Sequence, residues 1–308
     1  MKDRVSVKPR KDLRAWLNSD NVAGYMFISP WLIGFFLLSL IPILISLYLA
    51  FTNYNLISAP KLIGFRNFER MLTDSRLKKS IFATLYYVFA SVPLKVGFAL
   101  MIACLMNRKM RGANFFRSIY YLPTLVGSGI PVALMWKQLF GNNGVINEIL
   151  RALGFTGNTS WLGNKSTAIW VLILLAIWQF GSSMLIFSAG LKQIPDTYYE
   201  AGKLDGASSF ALFIHITLPS LSSIIFFNLI MQIISAFMAF TQAYVITGGG
   251  PLDSTLLYAL YVYRKAMDYF DMGYACALSW VLMVIVALIT MLVFRSSSKW
   301  VYYESKGA

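Results

Sequence analysis

Long stretches without charge constrain this chain more than any other feature. Five runs contain no Asp, Glu, Lys or Arg, and a sixth apolar stretch is interrupted only by Lys95. The five runs are 21–60, 118–136, 166–191, 206–252 and 272–294, and the sixth stretch is 80–107. Because a helix needs about 20 apolar residues to cross a bilayer core, the sequence predicts a membrane protein.

The composition is both apolar and basic. Hydrophobic residues make up 57% of the 308 residues and charged residues 13%, yet the net charge is +14. Cationic segments flanking membrane spans account for this combination. A nucleic-acid binder would place its basic residues on an extensive polar face, and we therefore expect no nucleic-acid partner.

Six membrane spans fit the apolar runs. They must be helices, because lipid offers no partners for exposed backbone groups and the period-two alternation of a barrel strand is missing. We therefore predict an all-α membrane protein with six transmembrane helices. The predicted spans are 24–50, 82–106, 118–138, 167–190, 223–245 and 272–294.

Six spans place both termini on one side of the membrane. That side would carry 15 Lys and Arg residues and the other side 11, a weak bias that favours cytoplasmic termini. The first apolar segment exceeds the core of a signal peptide, and we expect it to remain as a span. The predicted organisation is a cytoplasmic segment 1–23, a transmembrane domain 24–294 and a cytoplasmic tail 295–308.

Residues for catalysis or metal binding are scarce. Cys104 and Cys276 lie inside predicted spans as small packing residues, and His215 is the single histidine. The sequence has no G-x-S-x-G and no G-x-x-x-x-G-K-[ST] pattern, so we expect neither a serine hydrolase nor a P-loop ATPase. No catalytic residue, cofactor or metal site is predicted on this chain.

The segment 194–222 predicts a cytoplasmic helix, turn and second helix. Pro195 stops the preceding span, Asp196 is expected to cap the first helix, and Gly206 to end it in a left-handed conformation. The second helix is expected from near Ser208 to before Pro219. Small residues in the segment would let another protein approach closely. An amphipathic loop lying on lipid headgroups is the alternative, but it would carry more Lys and Arg.

This segment resembles the EAA loop of type I ABC importer permeases. It contains Glu200-Ala201-Gly202, Asp205-Gly206-Ala207 and Ile216-Thr217-Leu218-Pro219, with Gly202 where alanine is usual. Other motifs resemble, in the same order, those of sugar-importer permeases of the maltose type. These motifs are Phe27–Trp31, Gly64–Phe68, Asn107–Gly112, Tyr121–Pro123 and Thr247–Pro251.

The resemblance implies a subunit of a larger transporter. It implies the type I ABC importer permease fold, in a bacterial cytoplasmic (inner) membrane, with a second homologous permease beside it. Two copies of an ABC ATPase would bind ATP and Mg and hydrolyse the ATP, and an extracytoplasmic solute-binding protein would deliver a sugar. The mechanism would be alternating access, with membrane lipid around the spans.

Residue roles follow from the same resemblance. The ATPase would dock on Glu200, Ala201, Gly202, Asp205, Gly206, Leu218 and Pro219. The binding protein would contact Gly248, Gly249, Gly250 and Pro251, for which a simple tight external turn is the alternative.

Polar residues inside the predicted spans mark a candidate substrate path. They are Trp178, Gln179, Ser182, Asn228, Gln232, Ser235, Thr241 and Gln242. For each of them, a hydrogen bond to a neighbouring helix is the alternative. Lys95 has three open roles: its side chain would reach the membrane interface, face the cavity or pair with the partner permease.

Three other functions stay open. An ion-coupled secondary transporter would carry acidic or histidine residues in its spans, and the spans lack carboxylates. A polytopic membrane enzyme would need a polar cluster at one face, for which Asp253, Asp268 and Asp271 are the candidates. A permease for another solute, such as glycerol-phosphate, is the third; the overall match favours a carbohydrate, specifically an oligosaccharide.

Overall fold

A computed structural model describes residues 20–302, apart from 108–111, 128 and 156–158. Most of the predicted segment 1–23, the end of the tail and most of the Asn107–Gly112 motif therefore lie outside the described residues.

The described residues are helical, with one isolated antiparallel bridge between Thr52 and Leu62. We number the α-helices in chain order. They are α1 Asp20–Phe35, α2 Ile41–Ala50, α3 Arg66–Thr73, α4 Ser75–Met106, α5 Ala113–Val126, α6 Ile130–Leu139, α7 Val145–Ala152, α8 Lys165–Trp178, α9 Gly181–Leu191, α10 Asp196–Leu204, α11 Ser209–Leu212, α12 Leu218–Ser220, α13 Ser222–Phe237, α14 Tyr258–Tyr263 and α15 Met272–Ser297. Four π-helical turns lie at Phe36–Leu40, Phe213–Thr217, Ala243–Thr247 and Arg264–Asp268.

Three helices in the described part of the chain are long and apolar enough to cross a membrane unbroken. They are Gly24–Ala50, which joins α1 to α2 through a π-helical turn, and the helices α4 and α15. They coincide with the first, second and sixth predicted spans, because in lipid the backbone groups of an apolar stretch of this length find partners only within a helix.

The third and fourth predicted spans are broken, and the prediction of continuous helices there was wrong. The breaks divide α5 from α6, and α8 from α9 by 40°. A third break, of 66° between α12 and α13, precedes the predicted fifth span 223–245. The described residues therefore hold up to six spans if each bent pair counts as one. The predicted fifth span differs at its other end, because α13 ends at Phe237 and a short non-helical stretch at 238–240 follows it.

Helix α4 lies at the centre of the bundle. It packs against α8, α9, α13 and α14, and one of its faces is buried along most of its length. A Cβ atom on Gly190 of α9 would overlap Cδ1 of Ile224, so the missing side chain lets α9 approach α13 closely. The helices that surround α4 are therefore also packed against one another.

Asp74 joins three helices at one end of the bundle. Its carboxylate accepts the backbone N–H groups of Arg76 and Leu77, at 3.0 and 3.1 Å, and so caps α4. It also accepts hydrogen bonds from the hydroxyls of Tyr261 and Tyr274. Burial raises the pKa of Asp74, but these hydrogen bonds outweigh burial and bring the pKa below its ordinary value.

The other end of the bundle is about 39 Å away along the 26 residues of α15. There the ring of Phe226 in α13 packs edge-on against Phe294 and Trp300, with ring centroids 5.0 and 5.9 Å away. The backbone N–H of Tyr302 donates to Oγ of Ser222 at 2.8 Å. The segment 194–222 lies at this second end.

Candidate coupling loop and substrate cavity

The first helix of the loop, α10, begins one residue earlier than predicted. Pro195 holds the cap position with φ −61° and ψ 135°, and Asp196 is the first helical residue. The prediction that Asp196 caps α10 was therefore wrong, because the extended backbone that a cap requires falls on Pro195. Asp196 still places its carboxylate in the first turn, where it complements the helix dipole.

Gly206 ends α10 as predicted. Its φ is +77°, a left-handed conformation that costs glycine little. The N–H of Gly206 donates to the carbonyl of Lys203 at 3.0 Å, and that of Ala207 to Gly202 at 2.9 Å. This pair of bonds is a Schellman motif, which satisfies two helix-end carbonyls and fixes the direction of the chain.

The second helix begins as predicted but ends later. Oγ of Ser208 accepts the N–H of Ala211 at 3.3 Å and caps α11. The prediction that this helix stops before Pro219 was wrong, since helical backbone continues through a π-helical turn and α12 to Ser220. Pro219 lies two residues after the end of the π-helical turn and one residue before the end of this helical stretch. The helix axis then changes direction by 66° between α12 and α13, as is common next to a proline.

Two contacts hold the helices of the loop together. The hydroxyls of Tyr199 and Thr217 lie 3.0 Å apart, within hydrogen-bond distance. A Cβ atom on Gly202 would lie 2.5 Å from Cδ2 of Leu212, so a small residue here lets α10 lie against α11. Gly202 is half-buried in this contact, which makes it part of the joint between the two helices.

The remaining predicted docking residues face mostly outward. Those with exposed side chains or backbone are Glu200, Ala201, Asp205, Gly206 and Pro219, whereas Leu218 is half-buried. Sequence reasoning missed two neighbours, Leu204 and Phe210, which are 90% and 74% exposed. The sequence could have singled them out, because they are large apolar residues in a short segment of mostly polar and small residues.

A cavity of about 300 Å³ lies between α4, the end of α8, α13 and the segment 238–242 that follows α13. Five of the eight predicted path residues line it, and all five are uncharged. They are Gln179, Gln232, Ser235, Thr241 and Gln242. The broken ends of α8 and α13 place these side chains around one space.

Three predicted path residues lie outside this lining. Trp178 packs its ring 6.0 Å from that of Trp136. Asn228 is buried, and its Nδ2 donates to the carbonyl of Ile224 within the same helix at 3.1 Å. Ser182, on α9, is the third.

Four lining residues come from one face of α4, and sequence reasoning did not bring them together. They are Tyr87, Ser91, Val92 and Lys95. Tyr87, Ser91 and Lys95 are spaced four residues apart, about one turn of the helix, so periodicity could have identified them. Lys95 is the one charged residue among all those that line the cavity.

The predicted external turn lies at the end of the bundle that holds Asp74. Gly248 and Gly249 have φ of 55° and 82°, and Oγ1 of Thr255 donates to the carbonyl of Gly250 at 2.7 Å. The residues Gly248–Pro251 are buried or half-buried, while Leu252 is 80% exposed at the tip. The hydrogen bond from Thr255 therefore stabilises the turn internally, and the exposed part of the turn begins after Pro251.

Asp253 fastens this turn to α4. Its carboxylate pairs with Arg76 at 3.1 Å and with Lys79 at 3.5 Å. The hydrogen bond from Arg76 is the largest influence on Asp253 and lowers the pKa of its carboxyl. Asp268 pairs with Arg264, and Asp271 with Arg70, which leaves the three external aspartates in separate ion pairs.

Within 20–302, outside the three gaps, no group of three or more His, Cys, Asp or Glu residues is placed to hold a metal ion.

Comparison with known proteins identifies the family. A family model described as "binding-protein-dependent transport system inner membrane component" matches residues 74–303. The chain belongs to this family. It is 53% identical over 293 residues to the probable ABC transporter permease protein YesP of Bacillus subtilis, covering 94% of this chain and 95% of YesP. It is 30% identical over 284 residues to AraP of the same organism, which is described as an arabinooligosaccharides transport system permease protein. This match covers 91% of this chain and 90% of AraP.

A solved structure shows the same fold. The match is to a chain of a bacterial alginate ABC transporter, crystallised with a periplasmic protein carrying an alginate pentasaccharide. The TM-score is 0.78 at 22% sequence identity, and the match covers 92% of this chain and 95% of that one. The predicted type I ABC permease fold is thereby confirmed, and the chain is an ABC transporter permease of the inner membrane.

Proposed function

We propose that this chain is a permease subunit of an ATP-driven, binding-protein-dependent importer of oligosaccharides. The exposed helix–turn–helix at 194–222 carries the proposal, because it offers a rigid docking surface for an ATPase at one end of the bundle. Six spans would place both termini and this loop in the cytoplasm. The descriptions of AraP and of the alginate transporter support an oligosaccharide as cargo.

Docking would use the exposed residues of the loop. Leu204 and Phe210 offer apolar surface to a groove of the ATPase, since exposed side chains of this size are typical anchors of an interface. Glu200 and Asp205 would pair with basic groups at the rim. ATP and Mg would be bound by that ATPase and not by this chain.

Coupling requires that a movement of the loop reach the cavity. The contact between Tyr199 and Thr217 joins the two loop helices. Thr217 ends the π-helical turn that leads through α12 into α13, and α13 carries Gln232 and Ser235 in the cavity wall. A rigid displacement of the loop would therefore move one wall of the cavity, as alternating access requires.

The turn after Thr247 would face the extracytoplasmic binding protein. It lies at the end of the bundle opposite the loop, and Leu252 is exposed at its tip. A second homologous permease would complete the path, as the family description of a multi-component transport system favours.

The docking proposal is tested by reversing one charge. We expect Glu200→Lys to reduce the ATPase that co-purifies from native membranes in mild detergent, with the permease still inserted. Glu148→Lys is the matched control, since Glu148 is also an exposed glutamate but lies on α7 and pairs weakly with Arg151 at 3.6 Å. Equal recovery of ATPase with wild type and both variants would show that the loop is not the docking site.

A further inference from the structure

Lys95 lies deep in the longest helix of the chain. It is 16 residues after Lys79, a distance of about 24 Å along α4, and 11 residues before Met106, about 17 Å. A lysine side chain is too short to reach either end of the helix from there. Its ammonium group therefore remains at the level of the cavity that it lines.

The described residues supply no counter-charge for Lys95. Their five ion pairs lie elsewhere, and none of the residues that line the cavity is an aspartate or glutamate. A cation within a membrane span is costly, and it normally faces the bundle interior or a water-filled cavity and marks a functional site. An anion that enters the cavity would supply the partner that Lys95 lacks among these residues.

The remaining lining groups suit a saccharide. Nε2 of Gln179 donates to the carbonyl of Gly127 at 2.6 Å, and Nε2 of Gln232 donates to Oγ of Ser183 at 3.2 Å. The amide oxygens of these two glutamines, the amide of Gln242 and the hydroxyls of Ser235 and Thr241 offer hydrogen-bonding groups for sugar hydroxyls, and Tyr87 and Phe240 offer aromatic rings. A volume of about 300 Å³ lies at the lower end of the range typical of small-molecule pockets. The cavity therefore combines neutral hydrogen-bonding groups with one positive charge.

We propose that the transported oligosaccharide is acidic and that its carboxylate pairs with Lys95 as it passes through the cavity. This rests on the proposed function and narrows its substrate class to saccharides that contain a uronic acid. A carboxylate matches better than a phosphate, because phosphate dianions are usually held by several charged or backbone donors. The cavity wall presents one ammonium group.

The first test asks which saccharides the complete transporter accepts. Its binding protein is titrated with di- and trisaccharides of galacturonate, glucuronate and mannuronate and with the matching neutral oligomers of galactose, glucose and mannose. Uptake of each is then measured in vesicles that contain the permeases and ATPase. We expect binding and ATP-dependent uptake of a uronate oligomer. Uptake of the neutral oligomers alone, or of phosphorylated saccharides alone, would overturn the proposal.

The second test asks whether the positive charge of Lys95 is required for uptake of the acidic saccharide. We expect Lys95→Met to reduce uptake of the acidic saccharide roughly tenfold or more, and Lys95→Arg to retain most of it. The affinity of the binding protein is unaffected, since that protein is a separate chain. Lys299→Met, at an exposed position after α15, is the control and should transport as wild type does. Normal uptake by Lys95→Met would overturn the role of Lys95.

The two proposals fail in different ways. If neutral oligosaccharides enter with ATP and Lys95→Met does not change their uptake, the importer stands and the acidic substrate is wrong. If no saccharide enters with ATP and no ATPase co-purifies, the proposed function itself is wrong.

Discussion

Single residues decide how closely the helices of this bundle approach. Gly190 of α9 lies against Ile224 of α13, and Gly202 of α10 lies against Leu212. In both places a side chain would have to displace an apolar neighbour in order to fit. The absence of one methyl group at each site thus sets the spacing of two helices.

The spacing at Gly190 predicts a stability difference. Gly190→Val should destabilise the protein by about 1–3 kcal/mol, because the added atoms overlap Ile224. Gly97→Val is the matched control, since Gly97 is also helical but a Cβ there has nothing within 4 Å. The midpoints of thermal unfolding in detergent measure both. Equal midpoints for the two variants would show that α9 and α13 are not packed this closely.

At the scale of the elements, the arrangement of the helices in the loop α10–α12 depends on the turn at Gly206. The Schellman motif at Gly206 fixes the direction of the chain between α10 and α11, and the exposed side chains of Leu204 and Phe210 lie on either side of this turn in the sequence. A residue that disfavours the left-handed conformation would change the shape of the proposed docking surface without removing any of its exposed groups.

The role of the turn at Gly206 can be tested by replacing Gly206 and, as a control, Gly154. Gly206→Val and Gly154→Val both place a β-branched residue at a positive φ, +77° and +92°, at a cost of about 1–2 kcal/mol each. We expect only Gly206→Val to lower the ATPase activity of the purified complex when loaded binding protein is added. An equal loss in both variants would point to general destabilisation, and no loss in either would contradict a coupling role for this turn.

The unbroken elements were predictable from sequence and the broken ones were not. Long apolar stretches locate α4 and α15, since their length leaves only a membrane helix. The breaks after Trp178 and Ser220 involve neutral residues, so hydropathy gives no sign of them. The start of α10 was misplaced by one residue because aspartate and proline both occur near helix starts.

The candidate sites were predictable to different degrees. Polar residues in apolar runs pointed to Gln179 and Gln232, which do line one cavity. Both amides also donate within the protein, to Gly127 and Ser183. The same criterion selected Asn228, whose amide bonds to its own helix outside the cavity, because composition alone does not distinguish these environments. Lys95 was conspicuous as a lone charge, but its place in the cavity required the packing of α4.

At the scale of the whole molecule, the helix bundle has a contact network at each end and a cavity between them. The network around Asp74 fixes α4, α14 and α15 at the end with the external turn. The contacts of Phe226 and Ser222 join α13 to the end of α15 beside the loop. The cavity lies between these ends, against α4 and α13, where a relative movement of the helices would open or close it.

The central claim is that ATP hydrolysis on a partner drives import through this chain. The most direct measurement is uptake of the saccharide that loads the binding protein into vesicles containing the complete transporter, with ATP inside. We expect uptake that requires ATP, persists in Glu148→Lys and is lost in Glu200→Lys. Uptake without ATP that follows an imposed proton or sodium gradient would contradict the account and identify a secondary transporter.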